Sequence, residues 1–255
     1  MNIAALLTLS GLVSALDPGC GAALGSNTAN GPDGGAPRTE DGGGATNATK
    51  KDCGALGSHF FCDDFGGATL PSDFDMATQS SGTLAITGDE LVASTTAANA
   101  LRTFARLEKR FDVVGNKFSL DYTQTVDPGC IGPSDGVETG VIGVHSGLHY
   151  VALRHGSPDH ILEVSLANGF YAQAHNLPKS MPRGGAVKIA LSVDYATNMI
   201  ALSVDGETVV ANEPLKYPPP SIDQSMIAVG TLTDNGTGRP AACTVKIDDV
   251  TLDVE

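Results

Sequence analysis

From His59 onward the sequence is built from short segments in which apolar and polar residues alternate. Turn signals separate the segments, and no long stretch repeats at the helical period. A period of two puts successive side chains on opposite faces of a strand, so each segment buries one face and wets the other. Phe118, Leu120 and Tyr122 alternate with Lys117, Ser119 and Asp121. Val187, Ile189, Leu191 and Val193 alternate with Lys188, Ala190, Ser192 and Asp194. Many such strands at close spacing predict an all-β fold, a two-sheet antiparallel sandwich.

Turn chemistry then sets the expected registers. Asp205-Gly206 is a two-residue hairpin signal. It places Leu202 opposite Val209 and Ile200 opposite Ala211, with Ile189, Leu191 and Val193 facing Val204, Leu202 and Ile200. Between residues 139 and 175, a turn at Ser146-Gly147 pairs Ile142 with Val151 and Val144 with His149. A turn at 156–159 pairs Leu153 with Leu162 and Val151 with Val164. The loop Ala167-Asn168-Gly169 pairs Leu166 with Phe170 and Val164 with Ala172. Ile142, Val144, Val151, Leu153, Leu162, Val164, Leu166, Phe170 and Ala172 then form a core face. The opposite face carries His145, Tyr150, Arg154, Glu163, Tyr171, Gln173 and His175, with Gly143 leaving room beside the Tyr150 ring. Tyrosine, arginine, histidine and glutamine suit stacking on, and hydrogen bonding to, polar ligands, which makes this the candidate binding face. An ordinary half-buried sheet would also turn polar residues outward.

The last strand, Cys243 to Val254, changes phase: Val245 and Ile247 lie on one parity, Val250, Leu252 and Val254 on the other. A β-bulge at Asp248-Asp249 would reconcile them. With Asp63 or Asp64 from a neighbouring first strand, those carboxylates form a candidate structural Ca²⁺ site, since oxygen-only ligands suit that ion. A solvated acidic bulge fits the same residues. His145, His149, His155 and His160 are close in sequence, but their parities diverge. They are expected as structural histidines and not as a zinc site.

The N-terminal part is different. Residues 1–16 form an apolar run of signal-peptide length, too short to span a bilayer stably. Val13-Ser14-Ala15 fits a small-residue cleavage site, and Leu16-Asp17-Pro18-Gly19-Cys20 resembles a bacterial lipobox. Cysteine parity favours the second: lipidation of Cys20 leaves the even set Cys53, Cys62, Cys130 and Cys243. Three pairings of that set are possible. Closeness in sequence favours Cys53–Cys62, which leaves Cys130–Cys243, and both require an oxidising compartment. Residues 21–58 are rich in Gly, Ala, Asn, Thr and Asp and bury too little apolar area to offset chain entropy, so they read as a tether. The expected organisation is a signal peptide over 1–20, a linker over 21–58 and a β domain over 59–255. An exported protein, held at the cell envelope through a lipid anchor or released, follows from it.

Composition narrows the function. A net charge of −14 argues against a binder of nucleic-acid phosphates. Aromatic content is 5% and tryptophan is absent, which is low for a surface that stacks on sugars or bases. No nucleophile elbow, zinc-binding helix or phosphate loop occurs.

The opening "FFCDDFGG", the central "ALSVDGETVV" and the closing "VKIDDVTLDVE" together resemble the concanavalin A-like lectin/glucanase superfamily in its laminin-G-like form, over residues 59–255. The resemblance implies a jelly-roll with the first and last strands side by side and a concave sheet that commonly binds glycans. That sheet would correspond to the 139–175 meander. The closing "IDDV" is similar to the end of jelly-rolls in which an aspartate there ligates calcium. A retaining glucanase of this superfamily carries Glu-x-Asp-x-Glu on one strand, and no such run exists here. Glu163 alone cannot serve as both acid and nucleophile. The expectation is therefore an envelope-anchored module that binds glycan or another envelope polymer, with no enzyme activity. The alternatives are a structural or protein-binding lipoprotein without a small ligand, and a glycoside hydrolase with a dispersed carboxylate pair around Glu163.

Overall fold

The structure, a computed structural model, describes residues 51–96, 102–112, 115–130, 135–167, 169–235 and 242–255. In chain order the strands are β1 (Lys51–Asp52), β2 (Ser58–His59), β3 (Phe61–Asp63), β4 (Met76–Ser80), β5 (Gly82–Thr87), β6 (Glu90–Thr95), β7 (Arg102–Phe111), β8 (Lys117–Val126) and β9 (Asp135–Val144). They continue as β10 (His149–His155), β11 (His160–Ser165), β12 (Tyr171–Asn176), β13 (Val187–Asp194), β14 (Met199–Val204), β15 (Glu207–Pro214), β16 (Ser225–Asn235) and β17 (Cys243–Val254). No α-helix occurs among the described residues, so none of them forms a helix long and apolar enough to cross a membrane.

One sheet has seven strands in the order β12-β11-β10-β9-β16-β7-β4. The other runs β15-β14-β13-β8-β17-β6-β5, with β3 paired to β17 as an eighth strand. Apolar residues of the expected parity meet between the sheets. Phe118, Leu120, Tyr122, Ile189 and Leu191 come from one, and Ile142, Val144, Val151, Leu153 and Ile227 from the other. Each fully buried side chain of this size contributes about 1.5–3 kcal/mol by leaving water.

Where local turn chemistry controls the register, the expected pairing forms. Ile189, Leu191 and Val193 face Val204, Leu202 and Ile200. Ile142 faces Val151 and Val144 faces His149. Asp205 and Gly206 take φ of 51° and 79°, as a two-residue hairpin turn requires, and close Val204 against Glu207. Beyond that turn the expected pairs of Leu202 and Ile200 give way to Val210 and Glu213, because irregularities on either side of Leu202 add residues to β15. β17 is irregular between Asp248 and Thr251, where its buried parity switches from Ile247 to Val250. Asp249 takes φ 52° there.

The turn after β10 overturns one expectation. Leu153 pairs with Ile161 and Val151 with Glu163, one residue away from the expected register. The cause is Asp159. Its buried carboxylate accepts the N–H of Gly156 (2.8 Å), the N–H of Met181 (2.7 Å) and Nη2 of Arg183 (2.7 Å). These bonds draw Asp159 inward and widen the loop by one residue. A slip of one residue exchanges the faces of a strand. Leu162 and Val164 therefore point away from the other sheet, and Glu163 points toward it.

Cys53–Cys62 and Cys130–Cys243 are both disulfide-bonded. The first staples a small ribbon in which Lys51 pairs with His59 and Asp52 with Ser58. Among the described residues, regular structure is thus present from Lys51, inside the expected 21–58 linker. The 1–20 segment, Cys20 and the linker up to residue 50 lie outside the described residues.

Candidate functional site

The outward face of the seven-stranded sheet is the one turned away from the other sheet. Its centre is a floor of small or apolar residues, Val141, Ala152 and Ala228, with Tyr150 and Met226 packed against it. Around this floor stand charged groups from three strands. On β7 the outward parity brings Phe104, Arg106 and Glu108 together. Nε and Nη2 of Arg106 both donate to Oε1 of Glu108 at 2.7 Å, and the Arg106 guanidinium lies 5.9 Å from the Phe104 ring centre. On β10, Arg154 donates from Nη1 to Oε1 of Glu138 at 3.2 Å. A Cβ at Gly136 would overlap the Arg154 guanidinium, so the arginine lies where only glycine leaves room.

Glu138 faces outward because β9 is irregular. Arg154 pairs with Glu138 while Leu153 pairs with Gly140, so Thr139 and Gly140 both turn inward. Thr139 shares a 3.2 Å hydrogen bond with the buried Tyr122 hydroxyl. Glu108 and Glu138 are 4% and 3% exposed, whereas the guanidiniums they hold reach the surface. Burial raises the Tyr150 phenol well above its ordinary pKa. The Glu138 charge adds to that rise, and Arg102, Arg106 and Arg154 oppose it. Tyr150 is therefore a neutral hydroxyl at the centre of these ions.

Of the seven residues expected on one face, only Tyr150 and Arg154 lie here. Glu163, Tyr171, Gln173 and His175 have the opposite parity, through the pairs Glu163–Gln173 and Ser165–Tyr171 and the corrected β10–β11 register. His145 takes φ 53° in the short turn after β9, with Nδ1 2.7 Å from the Ser221 hydroxyl. Gln173 donates to the carbonyl of Ala174 on its edge strand. Tyr171, 45% exposed, stacks on Tyr217 with ring centres 5.1 Å apart. Arg106, Glu108 and Glu138 were not foreseen. One signal was available: Gly136, Gly140 and Gly143 recur within one strand, and a strand glycine often marks a bulge or a close approach.

Glu163 is fully buried between the sheets. His149 Nε2 approaches its Oε1 at 3.4 Å and His175 Nε2 its Oε2 at 3.2 Å. The N–H groups of Tyr217 and Lys216 donate to the same two oxygens at 2.6 and 2.8 Å. His175 Nδ1 lies 3.3 Å from Glu213, and the Tyr195 hydroxyl 3.3 Å from His149 Nδ1. Burial pushes the Glu163 pKa upward, but its four hydrogen bonds overcome that and hold it at about 2. This is a structural clamp on residues 216–217. The Glu163 carboxylate has no solvent access, unlike a group that attacks or protonates a polymer. His155 is buried as well, 3.0 Å from Gln124, and burial pushes its pKa down to about 4.

On the eight-stranded sheet, Asp63 accepts the N–H of Phe65 and Asp248 that of Asp249. β3 lies beside β17, as the acidic grouping requires. Among the described residues, no three or more His, Cys, Asp or Glu side chains are grouped to hold a metal ion.

No family model and no curated protein matches this chain. Solved structures do. An endo-beta-1,4-glucuronan lyase from the fungus Trichoderma reesei aligns with a TM-score of 0.58 at 13% identity, over 77% of this chain and 96% of that one. LamAcat from Zobellia galactanivorans aligns at 0.54 and 10% identity, over 76% and 96%. A non-specific endo-beta-1,3(4)-glucanase of family GH16 aligns at 0.53 and 10% identity, over 82% and 96%. A sialidase aligns at 0.43 and 10% identity, over 68% of this chain and 16% of that one. At such identities the likeness is one of fold. Together with the strand order, it makes the domain an antiparallel two-sheet jelly-roll sandwich, the fold it shares with these structures.

Proposed function

We propose that this chain is a polysaccharide-binding module and that the outward face of its seven-stranded sheet holds the glycan. The observation that carries this reading is the site itself. Tyr150, Arg106 and Arg154 rise from a floor of small residues, and each arginine is fixed by a buried glutamate. Arginines immobilised in this way lose little entropy on binding a ligand, so their hydrogen bonds cost less to form. The solved structures of the same fold include a glucuronan lyase and a glucanase, which supports a polysaccharide ligand. The two disulfides fit an exported protein. Attachment to a membrane through Cys20 is part of the same proposal.

The test is a glycan-array screen of the full chain, followed by titration of any hit with Arg154→Ala. A hit whose affinity falls at least about tenfold supports the face, since a charge-assisted hydrogen bond contributes about 1.5–3 kcal/mol. A hit unaffected by Arg154→Ala would move the site elsewhere. A blank array from folded protein would leave a structural or protein-binding role.

A further inference from the structure

We propose that the glycan this face takes is a carboxylated one, a polymer of uronic acid residues. The inference rests on the placement of glycan binding on this face and adds the chemistry of the ligand.

Charge is distributed unevenly over the molecule. The chain carries −14 overall, a field that repels polyanions at long range. Yet of the seven arginines in the sequence, Arg102, Arg106, Arg110 and Arg154 all fall on the outward parity of one sheet. Arg102 pairs with Asp234, Arg106 with Gly230 and Arg110 with Met226 across the β7–β16 ladder, so three of them form a column along one strand. Arg154 stands two strands away from β16, beside Glu138.

Two carboxylates on this face, Glu108 and Glu138, each hold an arginine. Glu108 and Glu138 are buried, while the side chains of Arg106 and Arg154 are 27% and 15% exposed. Each glutamate thus orients a guanidinium from below and presents little of itself to a ligand. A planar guanidinium matches a carboxylate through two parallel hydrogen bonds, a fit that a neutral hydroxyl cannot reproduce. The neutral Tyr150 hydroxyl, central to the group, suits the sugar hydroxyls beside that carboxylate.

The test uses the full chain and three polyuronates: polygalacturonate, polymannuronate and polyglucuronate. Each is paired with its carboxyl-reduced form, and a neutral β-glucan and dextran sulfate complete the panel. The expected result is binding to at least one polyuronate and at least about tenfold weaker binding to its reduced form, the scale of one charge-assisted pair. Arg154→Gln, checked for an unchanged thermal midpoint, should weaken polyuronate binding by a similar factor and leave the reduced polymer within about twofold. If Arg154→Gln proves unstable, Arg106→Gln provides the same comparison. Equal affinity for polyuronate and its reduced form, or binding to the β-glucan alone, overturns the carboxylate inference and leaves the glycan-binding face standing. Binding to dextran sulfate alone overturns it in favour of sulfate recognition. No binding to any glycan removes both.

Discussion

At the scale of single residues, the structure uses buried carboxylates as fixed points. Glu163 is held at about 2, below the ordinary glutamate value, by four hydrogen bonds that outweigh the effect of its burial. A carboxyl whose folded pKa is depressed stabilises the fold fully above its unfolded value and loses that contribution as pH falls toward 2. His175 has the opposite sign. Its hydrogen bond to Glu163 raises its pKa, so its contribution is full below the ordinary histidine range and is lost as pH rises through the raised value. Glu163→Gln should therefore lower stability by about 3 kcal/mol near neutral pH, the scale of breaking a buried ion pair. Its deficit should shrink toward pH 2, where the wild-type carboxylate is also being protonated. Thermal midpoints of both proteins from pH 2 to 8 check this, and parallel curves would rule it out. Gly136 acts through Arg154. The atoms nearest a methyl there are those of the Arg154 guanidinium. Gly136→Ala should lower stability by about 3 kcal/mol, because the displaced guanidinium leaves the buried Glu138 carboxylate without this partner, and glycan affinity should drop with it. Denaturant midpoints beside binding titrations separate the two effects.

At the scale of elements, the hairpin between β10 and β11 decides which face each charge occupies. Asp159→Ala would leave two backbone N–H groups and Arg183 without their acceptor. A loss of about 3–5 kcal/mol in urea unfolding is expected, the cost of stripping a buried charge of its partner. Asp159 also explains where the sequence stops being readable. Strands whose turns are closed by their own residues could be read directly: the Asp205-Gly206 turn, though not the β14–β15 pairs beyond it, the β13–β14 ladder and the phase change in β17 all depend on neighbours in the chain. The β10–β11 loop depends on Met181 and Arg183, twenty-odd positions downstream, and no local pattern announces that. The single slip placed Glu163, Tyr171, Gln173 and His175 on the wrong face. The outward placement of Glu138 was equally hidden, because the irregularity that produces it is packed against Tyr122 on another strand. Only Tyr150 and Arg154 of the expected face survive, since their register comes from the short turn after β9.

At the scale of the whole molecule, the two disulfides do unequal work. Cys130–Cys243 spans 113 residues and Cys53–Cys62 only 9. Loop-closure entropy assigns about 5 kcal/mol to the long bridge and about 3 to the short one. Cys130→Ser with Cys243→Ser should therefore depress the thermal midpoint more than Cys53→Ser with Cys62→Ser. Equal losses would show that native packing around the bridges, and not chain entropy, sets their worth. The short bridge has a mechanical consequence. A pull applied to the chain at Lys51 reaches Cys53 and crosses the sulfur–sulfur bond directly to Cys62, so residues 54–61 carry none of the load. The tension arrives at β3, whose ladder against β17 has three registered pairs, Asp63–Val250, Cys62–Thr251 and Phe61–Leu252. Reduction of the bridge would release about 25 Å of slack, nine extended steps of roughly 3.4 Å less the 6.0 Å between the bridged Cα atoms. The stapled ribbon is thus an inextensible leash with a redox-releasable spring folded inside it.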